Sequence, residues 1–187
     1  MGYALAAAAA DCGAEVVLVS GPTSLELERS SVSMIRVTSA EQMYRACMEQ
    51  FPSCNAAIMS AAVADYTVRD YSGKKIKKKD DDLILHLEPA PDIAAELGKK
   101  KTGRQVLVGF ALETDNELEN ARNKLEKKNF DFIIMNSLRD QGAGFGTDTN
   151  RITIVERDNN ITEYGLKDKG DVARDIIDKL IEYVQMQ

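Results

Sequence analysis

The sequence predicts an α/β domain built on a doubly wound, mostly parallel sheet, with helices on both faces and an antiparallel hairpin at the sheet edge. Three features carry that expectation. Short runs of β-branched and apolar residues, EVVLVSGP, NAAIMSAA, QVLVGF and DFIIMN, read as strands buried on both faces. Segments with helical periodicity lie between them, which is the grammar of βαβ units. The length, 187 residues, suits one domain with a core of its own.

Taken in order, Gly2 to Asp11 is dominated by alanine, the best helix former, and Gly13 stands where a C-terminal cap belongs. EVVLVSGP is a strand ended by Gly21 and Pro22, and a short strand follows from Met34 to Thr38. Ser39 precedes a helix, AEQMYRACMEQF, whose Met43, Ala46, Cys47 and Phe51 share a face before Pro52 stops it. Asn55 to Ala62 is a buried strand. Leu83, Leu85 and Leu87 alternate in DLILHLEP, the pattern of a half-exposed strand ending at Pro89 and Pro91. Pro91 and Asp92 open the helix DIAAELGKK, with lysines in its last turn. A strand over Gln105 to Phe110, a charged amphipathic helix over Asn116 to Lys128 and a strand over Asp131 to Asn136 complete the βαβ pattern. RITIVER and ITEYGL pair as the edge hairpin, and a helix from Asp171 to Gln187 closes the chain.

Composition narrows the function classes. No apolar run approaches the roughly 20 residues that span a bilayer, and MGYALAAAAADCGAE lacks the basic start of a signal peptide, so a soluble, cytoplasmic protein without a membrane partner is expected. Cys12, Cys47 and Cys54 have neither disulfide nor zinc spacing and read as buried thiols in a reducing compartment. The net charge of −6 argues against nucleic acid as a partner. Charge is nevertheless clustered, since KKIKKK from Lys74 runs directly into Asp80, Asp81 and Asp82.

Ligands of a doubly wound sheet bind at the carboxyl ends of its strands. SAAVADY follows such an end, where small side chains let a ligand approach the backbone; Asp65 there either accepts from a ligand amine or hydroxyl or serves in a helix cap or a turn. Lys75, Lys77 and Lys78 either clamp a triphosphate, neutralising its charge, or form a solvated run. Pro91, Asp92, Ile93 and Ala94 mark a helix N-terminus whose free N–H groups suit an anion, although most such ends meet only water. Phe110 stacks on a base or fills the core. Lys124 and Lys128, four apart on one helix face, reach the same phosphates or ribose, or stay solvated. GAGFG precedes a strand rather than a helix and reads as a turn, not a dinucleotide loop. The single histidine, His86, has no partner in view, which disfavours a histidine-based triad.

In their order and spacing, VSGP, AAVADY, KIKK, PDI, GFALET and ARNKLEKKNFDFIIMN resemble the phosphopantothenoylcysteine synthetase domain of the coenzyme A pathway, over essentially the whole chain. The resemblance implies a Rossmann-like ligase that uses CTP to activate the carboxylate of phosphopantothenate as an acyl-cytidylate, which the amine of cysteine then attacks. It implies that Met59, Ser60, Ala61 and Asp65 line the cytidine pocket and that Pro91, Asp92, Ile93 and Ala94 hold CTP through helix-terminal backbone. Phe110, Lys124 and Lys128 complete the nucleotide site, and Lys75 is the catalytic lysine of a closing flap. Mg²⁺ accompanies the triphosphate, with no protein ligand assigned. A homodimer, and a flavin-dependent decarboxylase domain fused to or associated with this one, are also implied. Met1 and Gly2 match only the end of the family's opening segment, so its first strand, glycine-rich turn and phosphopantothenate-contacting asparagine are expected to be missing from the domain that residues 1–187 form. The rival readings are a non-catalytic nucleotide-binding domain and an NAD-dependent oxidoreductase.

Overall fold

Helix α1 (Gly2–Asp11) ends as its sequence requires: Gly13 takes a φ of 87° and donates to Ala10, while Ala14 donates to Ala9, closing the last turn. The structure, a computed structural model, describes residues 1–78, 82–113, 116–137 and 148–186. After α1, β1 (Val16–Ser20) pairs in parallel with β2 (Val32–Arg36). Helix α2 (Ala40–Gln50) is capped twice: the Ser39 hydroxyl accepts the Gln42 N–H at 3.2 Å and the Gln42 side chain accepts the Thr38 N–H at 2.7 Å. It gives way at Pro52 to a single 3-10 turn, Phe51–Ser53, and then to β3 (Ala56–Met59). Next come β4 (Tyr66–Val68) and β5 (Leu87–Pro89), an antiparallel ribbon.

The remaining elements are α3 (Ile93–Lys100), β6 (Val106–Glu113), α4 (Glu117–Lys127), β7 (Phe132–Ser137), β8 (Thr149–Asn150), β9 (Thr153–Glu156), β10 (Ile161–Glu163), β11 (Lys167–Asp168) and α5 (Lys169–Gln185). The main sheet has the order β10-β9-β7-β6-β3, with β3, β6 and β7 parallel and β9 and β10 antiparallel at the edge. Both of its faces are covered, and the period of two decides which residue goes where. Val106, Val108, Phe132 and Ile134 face α1 and α5, whereas Leu107 and Ile133 face α2, α3 and α4. No helix among the described residues is long and apolar enough to cross a membrane.

The structure corrects the expectations in several places. The parallel strands do not form one sheet: β1 and β2 make a separate pair, and among the described residues no strand lies between β1 and β3. The two sheets still share a core, because Val19 and Ile35 pack on the same cluster as Ala57 and Met59. DLILHLEP is strand only at Leu87–Pro89, and Leu83, Ile84 and Leu85 are exposed, since a two-stranded ribbon has no second layer to bury them. Cys12 is exposed and Cys47 and Cys54 are half-buried, so none of the thiols is fully buried, although Cys47 packs against the core. The last helix begins two residues earlier, at Lys169, with Asp168 extended before it. GAGFG lies outside the described residues, as do Lys79, Asp80 and Asp81.

Candidate functional site

At the carboxyl end of β3 the chain leaves the sheet, and between that exit, the N-terminus of α3, the end of β6 and the end of α4 lies a cleft of about 180 Å³. Met59 sits at the last position of β3, opposite Gly109 of β6. Ala61, Val63, Ala64 and Asp65 form one wall, and Ala90, Pro91, Asp92, Ile93 and Ala94 another. Phe110, Phe130, Lys124 and Lys128 close the third side. Of the residues expected at a nucleotide site, Met59, Ala61, Asp65, Pro91 to Ala94, Phe110, Lys124 and Lys128 converge here, whereas Ser60, Lys75, Lys77 and Lys78 do not.

The α3 wall is held by its cap. Asp92 accepts the Ala95 N–H at 3.1 Å, so the helix starts one residue later than Pro91-Asp92 suggests, with Pro91 outside it. The same carboxylate pairs with Lys128, Oδ1 to Nζ at 3.2 Å. A helix N-terminus and the ammonium groups of Lys124 and Lys128 thus line one space, where they favour an anion although the Asp92 carboxylate offsets part of their charge. Asp65, exposed at the opposite wall, supplies an acceptor. The backbone beneath it is pinned, as the Asp65 carbonyl accepts the Ala90 N–H at 2.8 Å.

The floor depends on a glycine. A Cβ on Gly109 would lie 2.3 Å from Cε2 of Phe130, so only glycine lets that ring lie across β6. Phe130 itself is buried on the α3/α4 face, whereas Phe110, which lines the cleft at the end of β6, is half-buried and packs against the cluster on the α1/α5 face. Val63 and Ala64 belong to SAAVADY, read from the sequence as a ligand-facing segment, whereas the sequence alone does not point to Phe130 and Ala90. A glycine inside the apolar run QVLVGF was the available signal, because it marks close approach by a neighbour.

The exceptions lie elsewhere, Lys77 and Lys78 on the same exposed segment as Lys75. Ser60 is half-buried with its hydroxyl toward the start of α1, where a Cβ on Gly2 would come within 3.1 Å of Oγ. Lys75 is exposed beyond β4, next to a small turn in which Ser72 Oγ donates to the Lys74 carbonyl at 3.0 Å. It does not line the cleft. Among the described residues no group of three His, Cys, Asp or Glu side chains could hold a metal ion.

Comparison with known proteins fits this architecture. The model of the DNA/pantothenate metabolism flavoprotein C-terminal domain family matches residues 1–184. The chain belongs to that family. It is 42% identical over 180 residues to the coenzyme A biosynthesis bifunctional protein CoaBC of Bacillus subtilis (strain 168), covering 96% of this chain and 44% of that one. It is 53% identical over 184 residues to a cysteine/cysteine sulfinic acid decarboxylase from an unknown prokaryotic organism, covering 98% of this chain and 51% of the relative. A crystal structure of the C-terminal domain of a CoaBC bifunctional protein superposes with a TM-score of 0.83 at 33% identity, covering 99% of this chain and 82% of that one. The chain thus spans about half the length of the curated relatives it matches. The superposition agrees with the Rossmann-like arrangement expected from the sequence.

Proposed function

We propose that this domain is a CTP-dependent phosphopantothenate–cysteine ligase of coenzyme A biosynthesis. The observation that carries the reading is the convergence, at one strand end, of an acceptor (Asp65), an aromatic face (Phe110), a helix N-terminus (α3) and two cations (Lys124, Lys128). These are the parts a nucleotide needs. Family membership and the likeness to CoaBC proteins support the same reading.

In the proposed reaction a carboxylate oxygen of phosphopantothenate attacks the α-phosphorus of CTP, pyrophosphate leaves, and an acyl-cytidylate forms. The cysteine amine then attacks the acyl carbon, losing a proton as the amide forms and CMP departs. Met59, Ala61 and Asp65 hold the cytosine, and Phe110 stacks on it. The backbone of Pro91 to Ala94, with Lys124 and Lys128, takes the phosphates. A cleft of about 180 Å³ is smaller than the roughly 300–1,000 Å³ of a pocket for a whole drug-sized ligand, so the base occupies it and the phosphates lie along its mouth. Lys75, on the exposed segment after β4, closes over the phosphates and offsets the charge that builds on pyrophosphate. Mg²⁺ fits as a companion of the nucleotide, since it is commonly held by one or two carboxylates together with phosphates and waters. The enzyme acts in the cytoplasm as a homodimer joined to a flavin-dependent decarboxylase domain.

One observation favours a second reading. The 53% identical relative bears a decarboxylase name, so this domain could serve such a protein as a non-catalytic nucleotide-binding partner. Pyrophosphate release separates the two. The ligase reading expects release from CTP only when phosphopantothenate and cysteine are both present, and a loss of that release in Lys75→Ala. CTP binding without release, in the full-length protein, supports the second reading and overturns the first.

A further inference from the structure

The β9–β10 hairpin touches the cleft from behind. Arg157, the first residue of its turn, donates through Nε to the Phe130 carbonyl at 2.6 Å and through an Nη to the side-chain oxygen of Asn129. Asn129 turns the chain from α4 into β7 with a φ of 55°, a left-handed conformation that asparagine tolerates. Its amide donates to the Gly98 carbonyl in α3 at 2.8 Å. Gly98 leaves no room for a side chain, because a Cβ there would lie 2.0 Å from the Lys128 carbonyl oxygen. Helix α3 and the end of α4 therefore meet backbone to backbone, and Arg157 grips the two residues that follow Lys128.

We propose that Arg157 is a positioning residue for the cleft. Its fork holds Asn129 and Phe130, Asn129 holds α3, and the clamp keeps Lys128 against Asp92 and the Phe130 ring across Gly109. Arg157 does not line the cleft. The edge hairpin thereby gains a purpose in the site: it sets the spacing between the cations of α4 and the N-terminus of α3 before a ligand arrives, which lowers the ordering cost of binding. This inference rests on the nucleotide reading for its consequence, though not for its geometry.

The test uses Arg157→Ala and Arg157→Lys, each alone and combined with Lys128→Ala, in the full-length protein. One readout is CTP affinity by calorimetry with Mg²⁺. The other is the ligand-free acylation rate of Lys128, measured by mass spectrometry against Lys99 as internal reference. Arg157→Ala is expected to weaken CTP binding by roughly tenfold, since even small misplacements of positioning groups are costly. It also speeds Lys128 acylation relative to Lys99. Arg157→Lys keeps the charge but not the two-point fork and behaves like alanine. In the Lys128→Ala background most of the affinity loss disappears, which a merely structural role for Arg157 would not produce. Unchanged Lys128 reactivity, or an affinity loss of the same size without Lys128, overturns the inference. Absence of CTP binding by the wild type instead sinks the nucleotide reading, and Lys128 reactivity still decides the role of Arg157.

Discussion

The two sides of the cleft are built in opposite ways. The side made by β6, α3 and α4 is locked at every joint: Asp131 accepts the Leu107 N–H at 2.6 Å and binds Lys101 at 2.8 and 2.9 Å, with both charged side chains at most 15% exposed. Gln105, buried beside it, donates to the carbonyls of Phe51 and Cys54 at 2.7 and 3.0 Å. The ribbon that rises from the opposite side, β4 and β5, presents Tyr66, Leu83, Ile84, Leu85 and Leu87 to solvent and Tyr71 almost completely, at 88%. A packed wall supplies fixed geometry, and an unpacked arm carries Lys75 at little cost to stability. The difference suits the proposed reaction, in which the binding groups would stay still while Lys75 closes over the phosphates.

That contrast can be broken most sharply on the packed side. Asp131→Ala leaves the Lys101 ammonium and the Leu107 N–H without their partner in a nearly dry position, and a loss of about 3–5 kcal/mol is expected by urea denaturation. A loss below 1 kcal/mol would show that the wall is softer than its bonding suggests. Away from the cleft, Glu156 is buried and accepts from the Tyr183 hydroxyl at 2.7 Å, from Lys179 at 3.1 Å and from Asn160 at 2.8 Å. Tyr183→Phe should cost about 1.5–3 kcal/mol, because the bond it removes is to a charged acceptor.

The same network has a pH signature. Burial, and then the bond to Glu156, push the Tyr183 hydroxyl well above its ordinary value, and Lys179 is also raised overall, its bonds to Glu156 and Glu182 outweighing the opposing effect of burial. Both groups are held in their protonated forms, so their stabilisation is complete below about pH 10, the ordinary tyrosine value, and is lost as pH rises beyond it. Denaturation midpoints taken from pH 8 to 11 should fall more steeply for the wild type than for Tyr183→Phe. Parallel curves would remove Tyr183 from the explanation.

The smallest effect belongs to the arm. Leu83→Ser and Leu85→Ser should each change stability by less than about 0.5 kcal/mol in the isolated chain, as exposed substitutions do. A larger loss would mean that the arm is packed against something in solution. Lys75→Ala should leave the thermal midpoint unchanged while lowering turnover, so that it separates chemistry from folding.

Much of this organisation was legible in the sequence, for physical reasons that differ by element. Strands β6 and β7 are apolar on both faces and therefore read as continuous runs, and α2 announced itself through Ser39 and Pro52. Strand ends pointed to Asp65, the PDI turn and Phe110 while leaving their cap, core and solvent readings open, and it was the resemblance to the synthetase family that joined them with the lysines of α4 in one site. What the sequence concealed is tertiary. Alternation in DLILHLEP implied a buried face, but burial needs a partner layer that local pattern does not encode. The separation of β1 and β2 from β3 likewise depends on pairing, to which VVLVS and AAIM are indifferent. The roles of Gly98 and Gly109 emerge only when Lys128 and Phe130 are seen pressed against them.

The most direct test of the central claim is a calorimetric titration of the folded protein with CTP and with ATP in Mg²⁺, repeated for CTP with Asp65→Ala and Lys128→Ala. The account predicts selective CTP binding, weakened by roughly tenfold or more in each variant, because each removes a charged contact whose loss costs about 1.5–3 kcal/mol. Binding that ignores both substitutions, or a folded protein that takes ATP as readily as CTP, would contradict it.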